Sequence, residues 1–105
     1  MIVEYIRYML KDHEPPMLVA AYAEASRHLA AAPECVDYEL TQCADEAASF
    51  VLRIRWVSAD AHLKAFRTGP NFPPFLAAIR PFIPEIAEMR HYAPTEVAGM
   101  GAMAS

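Results

Sequence analysis

Reactive side chains gather in one stretch of this sequence, Trp56-Val-Ser-Ala-Asp-Ala-His62 and the residues that follow it as far as Phe75. His62 carries an imidazole, which titrates near neutral pH and can take a proton from a weakly acidic hydroxyl. Asn71 offers an amide that can donate to a substrate oxygen, and the same residue type serves as a helix cap. Trp56, Phe66, Phe72 and Phe75 supply flat apolar surfaces on which a planar molecule can stack, and which can equally fill a core. Tyr22, much earlier in the chain, would add a hydroxyl if its helix closes the same cavity.

These side chains need a scaffold, and the hydrophobic period supplies one. In residues 49–57, Phe50, Leu52, Ile54 and Trp56 alternate with Val51, Arg53 and Arg55, which predicts a strand with one apolar face. Ser58 is placed to cap a helix running from Ala59 to about Thr68, and Gly69-Pro70-Asn71 interrupts it. A second helical piece then presents Phe75, Leu76 and Ile79 until Pro81 and Pro84 end it. His62 would thus face the sheet near Trp56, one turn into the first piece.

Residues 2–9 alternate Ile2, Glu4, Ile6 and Tyr8 against Val3, Tyr5, Arg7 and Met9, a second strand pattern. From about Pro16 to Ala32, Leu18, Tyr22, Ala25 and Leu29 recur at helical spacing. Residues 35–43 form a hairpin with 49–57, and 86–92 make a last strand with Glu88, Arg90 and Tyr92 on one side and His91 on the other. Residues 1–97 are read as a single domain. The tail 98–105 has neither charge nor periodicity and is expected to be disordered.

The order βαββαβ predicts an α+β, ferredoxin-like fold, a four-stranded antiparallel sheet with both helices on one face. The other face would carry Val3 or Ile2, Val51 and Met89, and a second copy of the chain is its simplest cover. That arrangement is a dimeric α+β barrel, whose interior would tolerate Arg53 and Arg55 only if Glu4, Glu39 or Glu88 pairs with them. His13 and His28 read as surface residues, and Arg67 as a charge complementing a helix end.

Composition narrows the partners. The 105 residues are 55% hydrophobic, yet no apolar run approaches the ~20 residues of a membrane span. A net charge of -4 argues against nucleic acid. No export segment is read at the start, so the expected location is cytoplasmic. Cys35 and Cys43, on one strand, would lie about 26 Å apart and are expected to be reduced thiols. No CxxC or paired HxxxH points to a metal, and none is expected.

Beyond these readings, Trp56-Val-Ser-Ala-Asp-Ala-His62 with Phe66, Phe72 and Phe75 resembles the antibiotic biosynthesis monooxygenase family. Val3-Glu-Tyr-Ile-Arg-Tyr8, Pro33-Glu-Cys-Val-Asp-Tyr-Glu39 and Met89-Arg-His-Tyr92 extend the resemblance over residues 2–93. The resemblance implies a dimeric ferredoxin-like barrel with a pocket in each subunit. It also implies a cofactor-independent monooxygenase acting on a small aromatic or quinol-like substrate, with His62 as base and Tyr22, Trp56, Phe66, Asn71, Phe72 and Phe75 around the substrate. Haem-degrading members are similar to one another in an asparagine, a tryptophan and a histidine, where this chain has Arg7, Phe66 and no histidine between Asn71 and Arg90. A competing reading is a non-catalytic dimeric module that binds a small molecule or another protein.

Overall fold

The alternating stretches form the strands they predict: β1 (Ile2–Met9), β2 (Cys35–Gln42), β3 (Ser49–Trp56) and β4 (Ile86–Tyr92). The computed structural model describes residues 1–104. The sheet is antiparallel with order β2-β3-β1-β4, the arrangement expected of the ferredoxin-like plan. Helix α1 spans Pro15–Ala30 and buries Leu18, Tyr22, Ala25 and Leu29, the residues that helical spacing assigned to its inner face. Pro15 and Pro16 occupy its first turn, where their missing amide hydrogens cost nothing.

Register divides the sheet into two unlike faces. Toward the helices point Ile6 and Tyr8 of β1 and Phe50, Leu52, Ile54 and Trp56 of β3, all buried with Leu18, Leu29, Phe66, Phe75 and Ile79 in one core. Away from them point Val3, Tyr5 and Arg7, paired with Arg55, Arg53 and Val51. Met89 lies opposite Ile6, which puts it on the helix side rather than on the open face. Ile2, opposite Trp56, also turns to the helix side, while Tyr5 and Tyr92 meet edge to face on the open side at 5.4 Å.

Asp37 answers the need for acidic partners on the open face. Its carboxylate binds the Arg55 guanidinium and accepts from Arg53 at 3.2 Å, with Glu39 3.9 Å from Arg53. Of the three glutamates expected there, only Glu39 joins the arginines. Glu88 pairs with Arg90, and Glu4 lies on the opposite face.

The second crossover departs most from expectation. Ala61–Phe66 is π-helical rather than α-helical, followed by α2 (Phe72–Ile79). The α-helix ends before Pro81, as expected, and a 3-10 turn over Arg80–Glu85 then contains both Pro81 and Pro84. Its last residue, Glu85, is buried, accepts from the amides of Lys11 at 2.5 Å and Asp12 at 2.9 Å, and binds His13 Nδ1. His13, expected at the surface, therefore anchors the β1–α1 loop and packs on Phe82 at 4.3 Å. Beyond β4, Val97, Met100 and Met103 are exposed and Ala102–Ala104 form a 3-10 turn; Ser105, the end of the tail expected to be disordered, lies outside the described residues. Among the described residues no helix is long and apolar enough to cross a membrane.

Burial works to raise the Glu85 pKa, but the two amides and His13 outweigh it and hold the carboxyl below its ordinary value of 4.5. The contribution of this carboxylate is therefore complete above pH 4.5 and lost as pH falls through the lowered folded value. Glu85→Ala should cost about 1–3 kcal/mol at neutral pH by stranding the loop amides. Denaturant titrations should show the gap between variant and parent closing on acidification below pH 4.5; a gap constant with pH would remove Glu85 from the acid response.

Candidate active site

Glu4 is the one charged member of the inward row of β1, and it is 2% exposed. Three elements bring it partners. From β3 the Trp56 indole donates to its Oε1 at 3.1 Å; from the π-helical segment His62 Nε2 lies 3.4 Å from the same oxygen. From β4, whose register sets His91 opposite Glu4, His91 Nε2 approaches Oε2 to 3.6 Å and His62 Nδ1 to 2.9 Å.

Local sequence explains how His62 gets there. Ser58 starts the helical path by accepting the Ala61 amide at 3.0 Å, the cap expected of it. The widened π turn then carries His62 and Phe66 inward, both buried, and leaves Arg67 lining the same cavity as His62. A π turn bonds residues five apart, so positions 62 and 67 come closer to one face than an α-helix would allow. Gly69 closes the segment where a Cβ would sit only 2.8 Å from the Ala65 carbonyl oxygen.

The aromatic wall assembles as the residue types suggested. His62 stacks on Trp56 with ring centres 4.6 Å apart and an interplanar angle of 19°. Phe66 packs 4.8 Å from Trp56 and 5.7 Å from both Phe72 and Phe75. Together with Glu4, Arg67 and Met89 these rings line a cavity of about 140 Å³ between sheet and crossover.

Two residues expected there lie elsewhere. Tyr22 is buried against Phe75, but its hydroxyl is 2.5 Å from that of Tyr8, and it lines a separate groove of about 340 Å³ between α1 and β2. Asn71 holds the N-cap position of α2 through its carbonyl, which accepts the Phe75 amide at 3.2 Å; its side chain makes no cap hydrogen bond and is not among the cavity's walls. Glu4 and His91 had not been assigned to the site. Glu4 announced itself only as a charge in an apolar row, and His91 only by opposite parity to Glu88, Arg90 and Tyr92.

Burial penalises charge throughout the site. It raises the Glu4 pKa, opposed by the Trp56 hydrogen bond and the positive charges of His91 and Arg67. It pushes His62 down to about 4, with His91 and Arg67 acting in the same direction. Burial thus keeps His62 neutral near neutral pH and makes Glu4 hold a proton more readily than an exposed carboxylate does. Burial likewise pushes Tyr8 up to about 12.

The sequence model of the antibiotic biosynthesis monooxygenase family matches residues 1–79. The chain belongs to this family. Among solved structures, a protein from Bordetella bronchiseptica classed as an antibiotic biosynthesis monooxygenase aligns with a TM-score of 0.74 at 18% identity, over 90% of this chain and 96% of its own. One from Chloroflexus aurantiacus aligns at 0.73 and 21% identity, over 95% and 98%. SnoaB, a cofactor-independent oxygenase from Streptomyces nogalater, aligns at 0.71 and 20% identity, over 93% and 97%. At these identities the likeness establishes the ferredoxin-like α+β fold. No protein of curated function matches the sequence. As a member of the antibiotic biosynthesis monooxygenase family, the chain places its buried acid and base between the sheet and the broken crossover.

The close contact at Gly69 is testable. Gly69→Ala should force the Ala65 carbonyl aside and lower stability by about 1–3 kcal/mol. Thermal unfolding measures it; an unchanged Tm would show that the π segment relaxes freely.

Proposed function

We propose that this protein is a cofactor-independent monooxygenase of a small phenol or quinol, with Glu4 and His62 as the proton-accepting pair. The observation that carries the reading is the cavity itself, where a buried carboxylate and imidazole meet Arg67 inside an aromatic wall. Its volume of about 140 Å³ suits one ring, since an apolar cavity of about 150 Å³ takes up benzene. Trp56, Phe66, Phe72 and Phe75 would sandwich that ring. Tyr22 supports the wall through Phe75, and Asn71 sets the turn that positions Phe72.

The chemistry balances without a cofactor. A phenolic O–H loses its proton to the Glu4–His62 pair, and the electron-rich anion reacts at carbon with dioxygen. One oxygen atom stays on the ring as a quinone carbonyl, the other leaves as water, and the substrate supplies the electrons. Arg67 would stabilise the developing negative charge, and the dry wall would strengthen that attraction.

Assembly as a homodimer belongs to the same reading. The open face presents Tyr5, Val51 and Tyr92 beside the half-buried Asp37–Arg53–Arg55 cluster, and β4 is exposed along nearly its whole length. A second sheet placed on it would form the barrel. Two unpaired thiols, Cys35 and Cys43, support a reducing, cytoplasmic setting.

Oxygen uptake by metal-free protein across a panel of hydroquinones and anthrones, with single-ring substrates preferred, is the expected result. His62→Gln should lower kcat about 10²–10⁴-fold, the usual worth of a positioned base, with the assembly intact. Saturable binding without uptake would favour the non-catalytic binding module, and unchanged kinetics in the variant would take His62 out of the reaction. Light scattering at micromolar concentration should report a dimer and Val51→Asp a monomer; a parent protein that is itself monomeric would remove the paired-sheet assembly.

A further inference from the structure

Glu4, His62 and His91 come from three different elements, and one ligand atom from each lies within 4.8 Å of the others. They are the one such group of three among the described residues. Their contacts are divided in a particular way. Glu4 Oε1 takes the Trp56 indole N–H at 3.1 Å and faces His62 Nε2 at 3.4 Å. Glu4 Oε2 is left toward His91 Nε2 at 3.6 Å, and His62 Nδ1 meets that same His91 nitrogen at 2.9 Å. Two imidazole nitrogens and one carboxylate oxygen therefore lie within 4.8 Å of one another.

We propose that Glu4, His62 and His91 form a binding site for one divalent first-row transition ion. Ligands at about 2.0–2.2 Å from such an ion stand roughly 3.0–3.5 Å from one another; His91 Nε2 already stands 2.9 Å from His62 Nδ1 and 3.6 Å from Glu4 Oε2, and the third separation is within 4.8 Å. Two histidines and one carboxylate are the donor set of catalytic zinc and non-haem iron centres, in which three protein ligands leave positions open to water or substrate. The surroundings fit. The Trp56 N–H fixes the carboxylate by its other oxygen, and the Trp56 ring fixes the plane of His62 by stacking. His91, its side chain 33% exposed, gives an ion a route from solvent to the two buried ligands. The other histidine–carboxylate contacts, His13 with Glu85 and His28 with Glu24, each lack a third ligand among the described residues.

The site shares Glu4 and His62 with the oxygenase reading, in which the same groups accept a proton, and its test does not depend on that reading. Titrating metal-free, full-length protein with Co²⁺ should produce a visible ligand-field absorption that saturates at one ion per chain and is displaced by Zn²⁺. His91→Ala, at an exposed position outside the core, should weaken binding on the order of 100-fold or more, because losing even an outer-sphere partner costs about 10–100-fold. Glu4→Gln should weaken it similarly, and His28→Ala should leave it unchanged. The assignment is overturned if the parent protein shows no one-to-one binding, or if His91→Ala and Glu4→Gln both bind as the parent does. No substrate or oxygen enters this titration, so a negative result leaves the oxygenase reading standing, and inactivity toward quinols leaves the metal assignment standing.

Discussion

A carboxylate inside an apolar layer has to be satisfied, and much of this molecule is arranged around that requirement. Glu4 shares its face of β1 with Ile6 and Tyr8, and leaving its charge unpaired there would cost several kcal/mol. β3 brings an indole donor, the crossover brings one imidazole, and β4 brings another. Those three elements join β1 at different sequence separations, so β1, β3, the crossover and β4 must all be in place before the carboxylate has its partners.

The two faces of the sheet divide the remaining work. The helix side holds an apolar core from Ile6 to Phe82, whose burial supplies most of the driving force for folding. On the open side, Asp37 gathers Arg53 and Arg55, and the hydrogen bond from Arg55, with Arg53 beside it, holds the Asp37 carboxyl below the usual carboxylate range. Such partly exposed pairs contribute little to stability by themselves. Their effect is to keep two guanidinium groups neutralised on a face that also carries Tyr5, Arg7, Val51, Glu88 and Tyr92.

The crossover is where geometry and chemistry meet most closely. A regular α-helix over the same residues would fix His62 and Phe66 on one face and turn Arg67 away. The π-helical stretch admits Arg67 to the cavity, and Gly69, allowed by its missing Cβ to approach the Ala65 carbonyl, ends it before Asn71 begins α2. Phe72 and Phe75 then return to the cavity that Trp56 opened. A helix broken in this way encloses a space that two straight helices packed on a sheet would close.

By itself, the order of periods determined the elements. Alternation marked all four strands, because half-buried strands must place apolar residues at every second position. Helical spacing marked the inner face of α1 for the same reason at a different period, and the aromatic residues around His62 were legible because local spacing put them on one side of a short segment. Only the tertiary structure decided what lay opposite them. Glu4 was one of three glutamates offered to the open-face arginines, and its true face was not legible because its partners are 52 to 87 residues away in the chain, and nothing near it in sequence reveals which row of β1 is covered. Met89 and Tyr22 were misplaced for related reasons, a strand register in one case and a hydroxyl partner on another strand in the other. Asn71 kept its place at the head of α2 while its side chain left the expected role. Local composition fixes period and turn chemistry; the meeting of a carboxylate, two imidazoles and an indole depends on how β1 pairs with both of its neighbours, and that pairing is a property of the whole folded chain.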